Sequence, residues 1–520
     1  MVYRIANRKA PAALVATALG VGSLVLAPLA YLLLRALQAE PAQLGSILFR
    51  AQNLELFLNT LWLVAGVVVF TTLLALPLAW LTTRSNLRGK RLFTLLFALP
   101  VVVPGYVGAY ALLASTGPGG LLEALTQVAW PRPSGYWGSL FALTLFTYPY
   151  LFLNLRTAFL GLDPSLEESA RSLGVGGLEA FGKVVLPQLR PALYAGWLLV
   201  GLHALGDFGV VSLMRYPTFS YAVYLQYSAS FDRIYAAWLA LMLLSFTVGL
   251  LYLESRFLRG LSLSRVARGA SRKQALIPLG AWRPWAYLFA AAVVMLSLVG
   301  PVLSILFWTR QFPFDSSFAL LEGLYNSARA SLPAALLATL LALPVAYLGV
   351  RYPGPFSRMV ERTAYLGFAT PPLAFALALI FFSLRGVPAL YQTLALLVLA
   401  YALHFLAEAI GPVRAALYQT PPKLEEAARS LGSGALEAFL RASFPLIRRG
   451  VLASVALVFL SCLKELPLTF LLSPVGYNTL ATRVWGYTSE AMFAEAAPFA
   501  LLIVLLSGLF MGMLLAQDKS

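Results

Sequence analysis

The sequence predicts an all-α polytopic membrane protein with about 12 transmembrane helices, arranged as two homologous six-helix halves about a parallel pseudo-two-fold. Three observations predict it. Of 520 residues 60% are apolar and 11% charged, with a mean hydropathy of +0.79, which excludes an ordinary soluble globular chain. About twelve stretches are long and apolar enough to cross a hydrocarbon core of about 30 Å. A charged, glycine-punctuated passage occurs twice, as EESARSLGVGGLEAFGKVVLP from Glu167 to Pro187 and EEAARSLGSGALEAFLRASFP from Glu425 to Pro445.

The twelve stretches lie near 12–35, 59–83, 92–114, 138–160, 191–214, 235–255, 285–309, 326–350, 361–383, 389–411, 448–472 and 496–516. Pro77 and Pro344 fall inside two of them, which spanning helices tolerate. The first follows Arg4, Arg8 and Lys9 but is uninterrupted from Ala12 to Leu34, too long for a signal-peptide core, and reads as a retained span. With a cytoplasmic N-terminus, alternate loops and the tail hold 28 of the 38 Lys and Arg, the bias expected of a cytoplasmic-membrane protein with both termini inside. That distribution explains the net charge of +17 without a nucleic-acid partner. It also places both copies of the repeated passage in the cytosol.

Two pairs of repeats organise the chain. The quoted passages match at 13 of 21 positions, at an offset of 258, and TLLALPLAWLTTR ending at Arg84 echoes TLLALPVAYLGVR ending at Arg351 at an offset of 267. Asn59 and Asn326 open the corresponding spans. The expected division is a first half over 1–255, a basic linker over 256–284 and a second half over 285–520, with the repeated loops at about 161–190 and 420–449. The linker residues Arg256, Arg259, Arg265, Arg268, Arg272, Lys273 and Arg283 read as a topology anchor near anionic lipid. A single cysteine, Cys462, excludes an intrachain disulfide and any multi-cysteine metal site.

Within each passage, Glu167 or Glu168 to Arg171, and Glu425 or Glu426 to Arg429, have helix-surface spacing. Pro164 and Pro422 stand where a helix starts, Gly174 and Gly432 where it ends, and LEAF begins a second helix expected to run to Pro187 or Pro445. The reading is a helix, a turn and a helix protruding from the membrane. Gly177 to Lys183 fits the start of a phosphate-binding loop, but Val184 replaces the magnesium-binding hydroxyl and no strand precedes it. Energy from ATP is therefore expected to come from another polypeptide, with no cofactor on this chain.

These residues resemble the signature of bacterial ABC importer permeases, E-A-A, three residues, G, nine residues, I-x-L-P. Glu168-Ser169-Ala170, Gly174 and Val184-Val185-Leu186-Pro187 follow it with conservative changes. Glu426-Ala427-Ala428 and Gly432 follow it fully, and of its last four positions the second copy keeps Pro445. The resemblance implies a fused permease in the bacterial inner membrane whose two knobs dock on two cytosolic ABC ATPase subunits, with an external solute-binding protein delivering cargo. Two further stretches, 207–224 and 464–485, resemble those of ferric-iron permeases, while permeases for thiamine and polyamine are similar.

Ionisable residues at membrane depth are costly and mark pathways. Asp207 and Glu465 share the repeat offset of 258, and Lys464 adjoins the second. His203 precedes Asp207 by one turn and His404 precedes Glu408 by one turn, so an intrahelical hydrogen bond in each case, or packing against the repeated loop, is one expectation. The other is a pathway with candidate residues His203, Asp207, Lys464 and Glu465, in which Asp207 and Glu465 briefly attract a cation and Lys464 argues against a purely anionic ring. No His, Cys and carboxylate spacing suits a permanent metal. Two other classes remain: a proton-driven secondary transporter, which needs no repeated knob, and a membrane enzyme, for which no acid-base constellation is visible.

Overall fold

A computed structural model of the chain describes residues 10–228, 232–258, 276–312 and 317–517. Helices dominate, and among the described residues the one β-type contact is an isolated bridge between Ser85 and Ile277. Arg259, Arg265, Arg268, Arg272 and Lys273 of the basic linker lie outside the described residues.

Eight described helices are long and apolar enough to cross a membrane, and three more spans are helix pairs bent by more than 40°, giving up to 11. The twelfth expected stretch, 191–214, is the helix Leu186–Gly206, which stops at Asp207 instead of running on. Pro77 and Pro344 sit inside the helices Ala51–Thr83 and Ser317–Arg351 as expected. Large apolar side chains such as Trp62, Leu73, Leu340 and Leu452 face outward, the surface a hydrocarbon solvent accepts. Buried hydroxyls satisfy themselves on their own helices, Thr71 donating to Val67 O at 2.7 Å and Thr82 to Leu78 O at 2.9 Å.

The two halves repeat in detail. Asn59 Nδ2 donates to Pro217 O and Asn326 Nδ2 to Asn478 O, each at 3.0 Å. In return Tyr216 donates to Asn59 O at 3.3 Å and Tyr477 to Asn326 O at 2.6 Å. The next hydroxyl in each span, Thr60 or Ser327, accepts from the amide of Phe219 or Leu480.

The first span of each half packs on the other half. Helix Ala12–Ala36 lies against Pro355–Ala369 and Pro372–Gly386, with Tyr31 edge-on to Phe382. Helix Gly300–Thr309 lies against Gly105–Ser115, where Ser304 donates to Ala111 O at 3.1 Å and Trp308 Nε1 to Ala114 O at 2.8 Å. Each half is thereby clasped by a helix of its partner.

Three π-helical turns interrupt the helices, at Phe181–Val185, Met295–Val299 and Phe439–Ser443. Each ends two residues before a proline: Pro187, Pro301 and Pro445. A proline ring collides with the carbonyl four residues back, and a widened turn relieves the collision. The expectation that the second helix of each repeated passage ends at Pro187 or Pro445 is therefore corrected. The helix passes through the wide turn and becomes the next span, Gly177 through Gly206 in one half and Ala435–Leu463 in the other.

Candidate functional site: duplicated coupling helices and a central cavity

The first repeated passage folds as the short helix Pro164–Ser172, started by Asp163, whose side chain accepts from Ser165 N at 2.9 Å. That hydrogen bond holds the Asp163 carboxyl below the ordinary carboxylate range. The second passage folds as Lys423–Ser430. Gly174 (φ +86°) and Gly432 (φ +94°) end these helices in left-handed geometry. Gly174 N donates to Arg171 O and Val175 N to Ala170 O; Gly432 N donates to Arg429 O and Ser433 N to Ala428 O. This paired 6→1 and 5→2 closure is a Schellman motif, and its positive φ is what glycine supplies cheaply.

The two glutamates that open each passage have opposite fates. Glu167 and Glu425 are buried, whereas Glu168 and Glu426 are exposed. Glu167 bonds Arg84, itself buried, and lies 3.8 Å from Arg171. Glu425 accepts from Tyr347 and Ser443 and lies 3.6 Å from Arg351. The two sequence repeats thus meet: the arginine closing one motif pairs with the glutamate opening the other, in both halves. Arg171, Ala427 and Arg429 are exposed, Ala170, Ala428, Leu186 and Pro187 half-buried, and Pro445 exposed. Leu173 and Leu431, unremarked in the sequence, cap the two knobs at 84% and 89% exposure.

The spans that follow the knobs lead to a cavity of about 380 Å³ between the halves. His203, Asp207, Lys464 and Glu465 all line it, joined by Tyr106, Tyr150, His404 and Glu408. The chain has two histidines, and both are here. Among the described residues five chain breaks meet around it. The helices bend by 97° at Val103–Pro104, by 104° at Thr370–Pro371 and by 53° at Phe405, and the other two breaks are at Gly206–Phe208 and Lys464–Leu466. Close packing holds the breaks together: a side chain added at Gly209 would meet Tyr106 Cβ at 2.6 Å and Leu466 Cδ2 of the other half at 3.2 Å.

Neither expected intrahelical His–carboxylate bond forms among the described residues. His203 Nδ1 faces Leu199 O at 2.9 Å, and since a carbonyl only accepts, that nitrogen carries the hydrogen. Asp207 Oδ1 accepts from Val210 N at 2.8 Å and Val211 N at 3.3 Å, capping the helix Gly209–Leu213. Glu465 Oε1 caps Pro467–Leu472 in the same manner through Leu468 N at 3.0 Å. Ser461 donates to Glu408 at 2.6 Å, and His404 Nδ1, in a residue 4% exposed, has no partner. At the repeat offset, Glu408 and Ser461 occupy the places of Tyr150 and His203, whose rings lie 4.5 Å apart.

A second cavity of about 360 Å³ lies at the span ends opposite the knobs, lined by Tyr224, Tyr227, Tyr391, Phe470 and Asn478 among others. Between the two cavities Phe208, Tyr224, Phe470 and Trp485 pack ring on ring, Phe470 and Trp485 at 4.7 Å and Phe208 and Trp485 at 5.6 Å. Trp485 Nε1 donates across the halves to Ser212 at 2.8 Å.

The model of the family described as binding-protein-dependent transport system inner membrane component matches residues 75–261 and again 336–519. The chain belongs to that family. The permease is 32% identical over 487 residues to the Fe(3+)-transport system permease protein FbpB 2 of Haemophilus influenzae, covering 93% of this chain and 94% of that one. A probable molybdenum ABC transporter permease of Haloferax volcanii is 33% identical over 34% of this chain and 65% of its own. The sulfate transport system permease CysT of Salmonella typhimurium is 30% identical over 36% of this chain and 68% of its own. Each matched block of the permease contains one knob and one set of cavity-lining breaks. The breaks at Pro104 and Pro371 had a readable signal, Pro-Gly and Pro-Pro at equivalent places of two apolar stretches. The segment from Gly177 to Lys183 is helical, so its amides are not spread to cradle a phosphate.

Proposed function

We propose that this permease imports ferric iron. The fused relative named for Fe(3+) transport matches it from end to end, whereas the molybdenum and sulfate relatives match about a third of it, and this contrast carries the reading. The lining of the central cavity supports it: the acidic side chains of Asp207, Glu408 and Glu465, oxygen donors suited to a hard cation, share it with one amine, Lys464.

Two cytosolic ATPase subunits grip the two knobs, one each, and consume the ATP; the permease itself carries no cofactor and no resident metal. Each knob offers a bare leucine ringed by charge, Leu173 with Glu168 and Arg171, Leu431 with Glu426 and Arg429, a pattern suited to a protein cleft. Because each knob's second helix is continuous with a span and its first is held by a buried ion pair, closure of the ATPase pair moves knob and bundle as one body. A solute-binding protein delivers cargo at the opposite, external face, and both termini are cytoplasmic.

Reconstitution of the permease with its ATPase subunits tests this. Iron-loaded binding protein should stimulate ATP hydrolysis and ferric uptake. Stimulation by a molybdate- or sulfate-loaded protein, with none from iron, would replace the substrate; uptake driven by an ion gradient with no ATPase present would replace the class.

A further inference from the structure

We propose that the cargo crosses the central cavity as a coordinated ferric complex that keeps a small oxyanion ligand, with Lys464 facing that anion and the carboxylates facing the metal. This rests on the ferric reading above.

The donor set argues against stripping the ion. Among the described residues no three His, Cys, Asp or Glu side chains are grouped to hold a metal. Each cavity carboxylate already has one oxygen engaged: Asp207 and Glu465 cap helices, and Glu408 accepts from Ser461. What remains is one oxygen apiece on three separate elements. A ferric ion released from all its ligands would trade a full coordination shell for scattered single contacts, a loss of several bonds to a hard cation that favours oxygen donors.

The space allows a complex: a cavity of about 380 Å³ admits an ion together with several water-sized ligands.

The lining then explains itself. Lys464 shares the wall with Glu408 and Glu465, so an amine stands beside the acidic groups of the lining. His203, whose Nδ1 hydrogen goes to Leu199 O, lines the same wall. Carboxylates for the metal and an ammonium for its anion make an amphoteric wall. Such a wall reads both ends of a ferric–oxyanion pair without replacing either bond. The iron stays ferric throughout, no ligand bond breaks in transit, and the complex leaves as it came.

The test uses the complete importer in proteoliposomes, with radioactive iron on its binding protein and, in three separate arms, labelled citrate, phosphate or bicarbonate as the anion. One label should accumulate inside in constant ratio to iron. Lys464→Met should cut uptake about tenfold or more, and Lys464→Arg should restore it, with membrane insertion and ATPase co-purification unchanged in both. Iron entering unaccompanied in all three arms, or undiminished in Lys464→Met, overturns the proposal and leaves the ferric reading standing. Absence of any ATP-dependent iron uptake overturns the ferric reading itself, and the proposal with it.

Discussion

Arg84 and Glu167, 83 residues apart, form a buried ion pair that ties the end of one span to the knob between two others. Its counterpart joins Arg351 to Glu425 at 3.6 Å, with Tyr347 and Ser443 adding hydrogen bonds. Removing one partner leaves a charge in a site closed to water, which typically costs about 3–5 kcal/mol, whereas removing both costs less. Arg84→Ala and Glu167→Ala should each loosen the first knob, and the double variant should cost less than their sum. Limited proteolysis around 161–190, read beside thermal unfolding, checks this; strict additivity would show that the pair does not hold the knob.

Gly174 and Gly432 have open space where a side chain would project, so any effect of substitution comes from backbone strain. Forcing valine into left-handed geometry costs about 1–2 kcal/mol, enough to open the Schellman closure without unfolding a span. The double variant Gly174→Val with Gly432→Val should insert normally, bind its ATPase subunits weakly and transport little. Transport at the parental rate would remove the knobs from the coupling path.

The leucines at the knob tips touch nothing in this chain that their loss would disturb. Changing Leu173 and Leu431 to aspartate should leave thermal stability within about 0.5 kcal/mol, as for most surface changes, and should sharply reduce co-purification of the ATPase subunits. A fall in stability with docking intact would assign these leucines to the fold.

Trp485 closes the aromatic layer between the two cavities and bonds Ser212 across the halves. Aromatic pairs contribute about 0.5–1.5 kcal/mol each beyond area burial, so Trp485→Ala removes three such contacts and an interhalf hydrogen bond. Proteoliposomes carrying it should leak small ions without ATP, and Trp485→Phe should leak less. Tight vesicles with the alanine variant would show that the barrier lies elsewhere.

Much of this was legible beforehand because it is local. Twenty apolar residues make a span whatever surrounds them, and repetition of two motifs declares two halves. Gly174 and Gly432 could be named as helix ends because a left-handed cap needs glycine on the spot. The candidate pathway residues His203, Asp207, Lys464 and Glu465 stood out since charge in hydrocarbon is costly, and the structure brings all four to one cavity. Three local expectations failed. Pro187 and Pro445 do not end helices, because a π turn absorbs the ring, Asp207 serves the helix after it and not the histidine before it, and Glu408 accepts from Ser461 and not from His404.

The sequence by itself determined the class of molecule, the count of halves, the knobs and their glycine caps, since composition, periodicity and repetition each act within a turn or a span. Tertiary structure alone decided that Arg84 meets Glu167, that each first span clasps the opposite half, and that five chain breaks meet around one cavity. Those pairings join residues far apart in the chain, and which helix faces lie together is set by packing that no local pattern encodes.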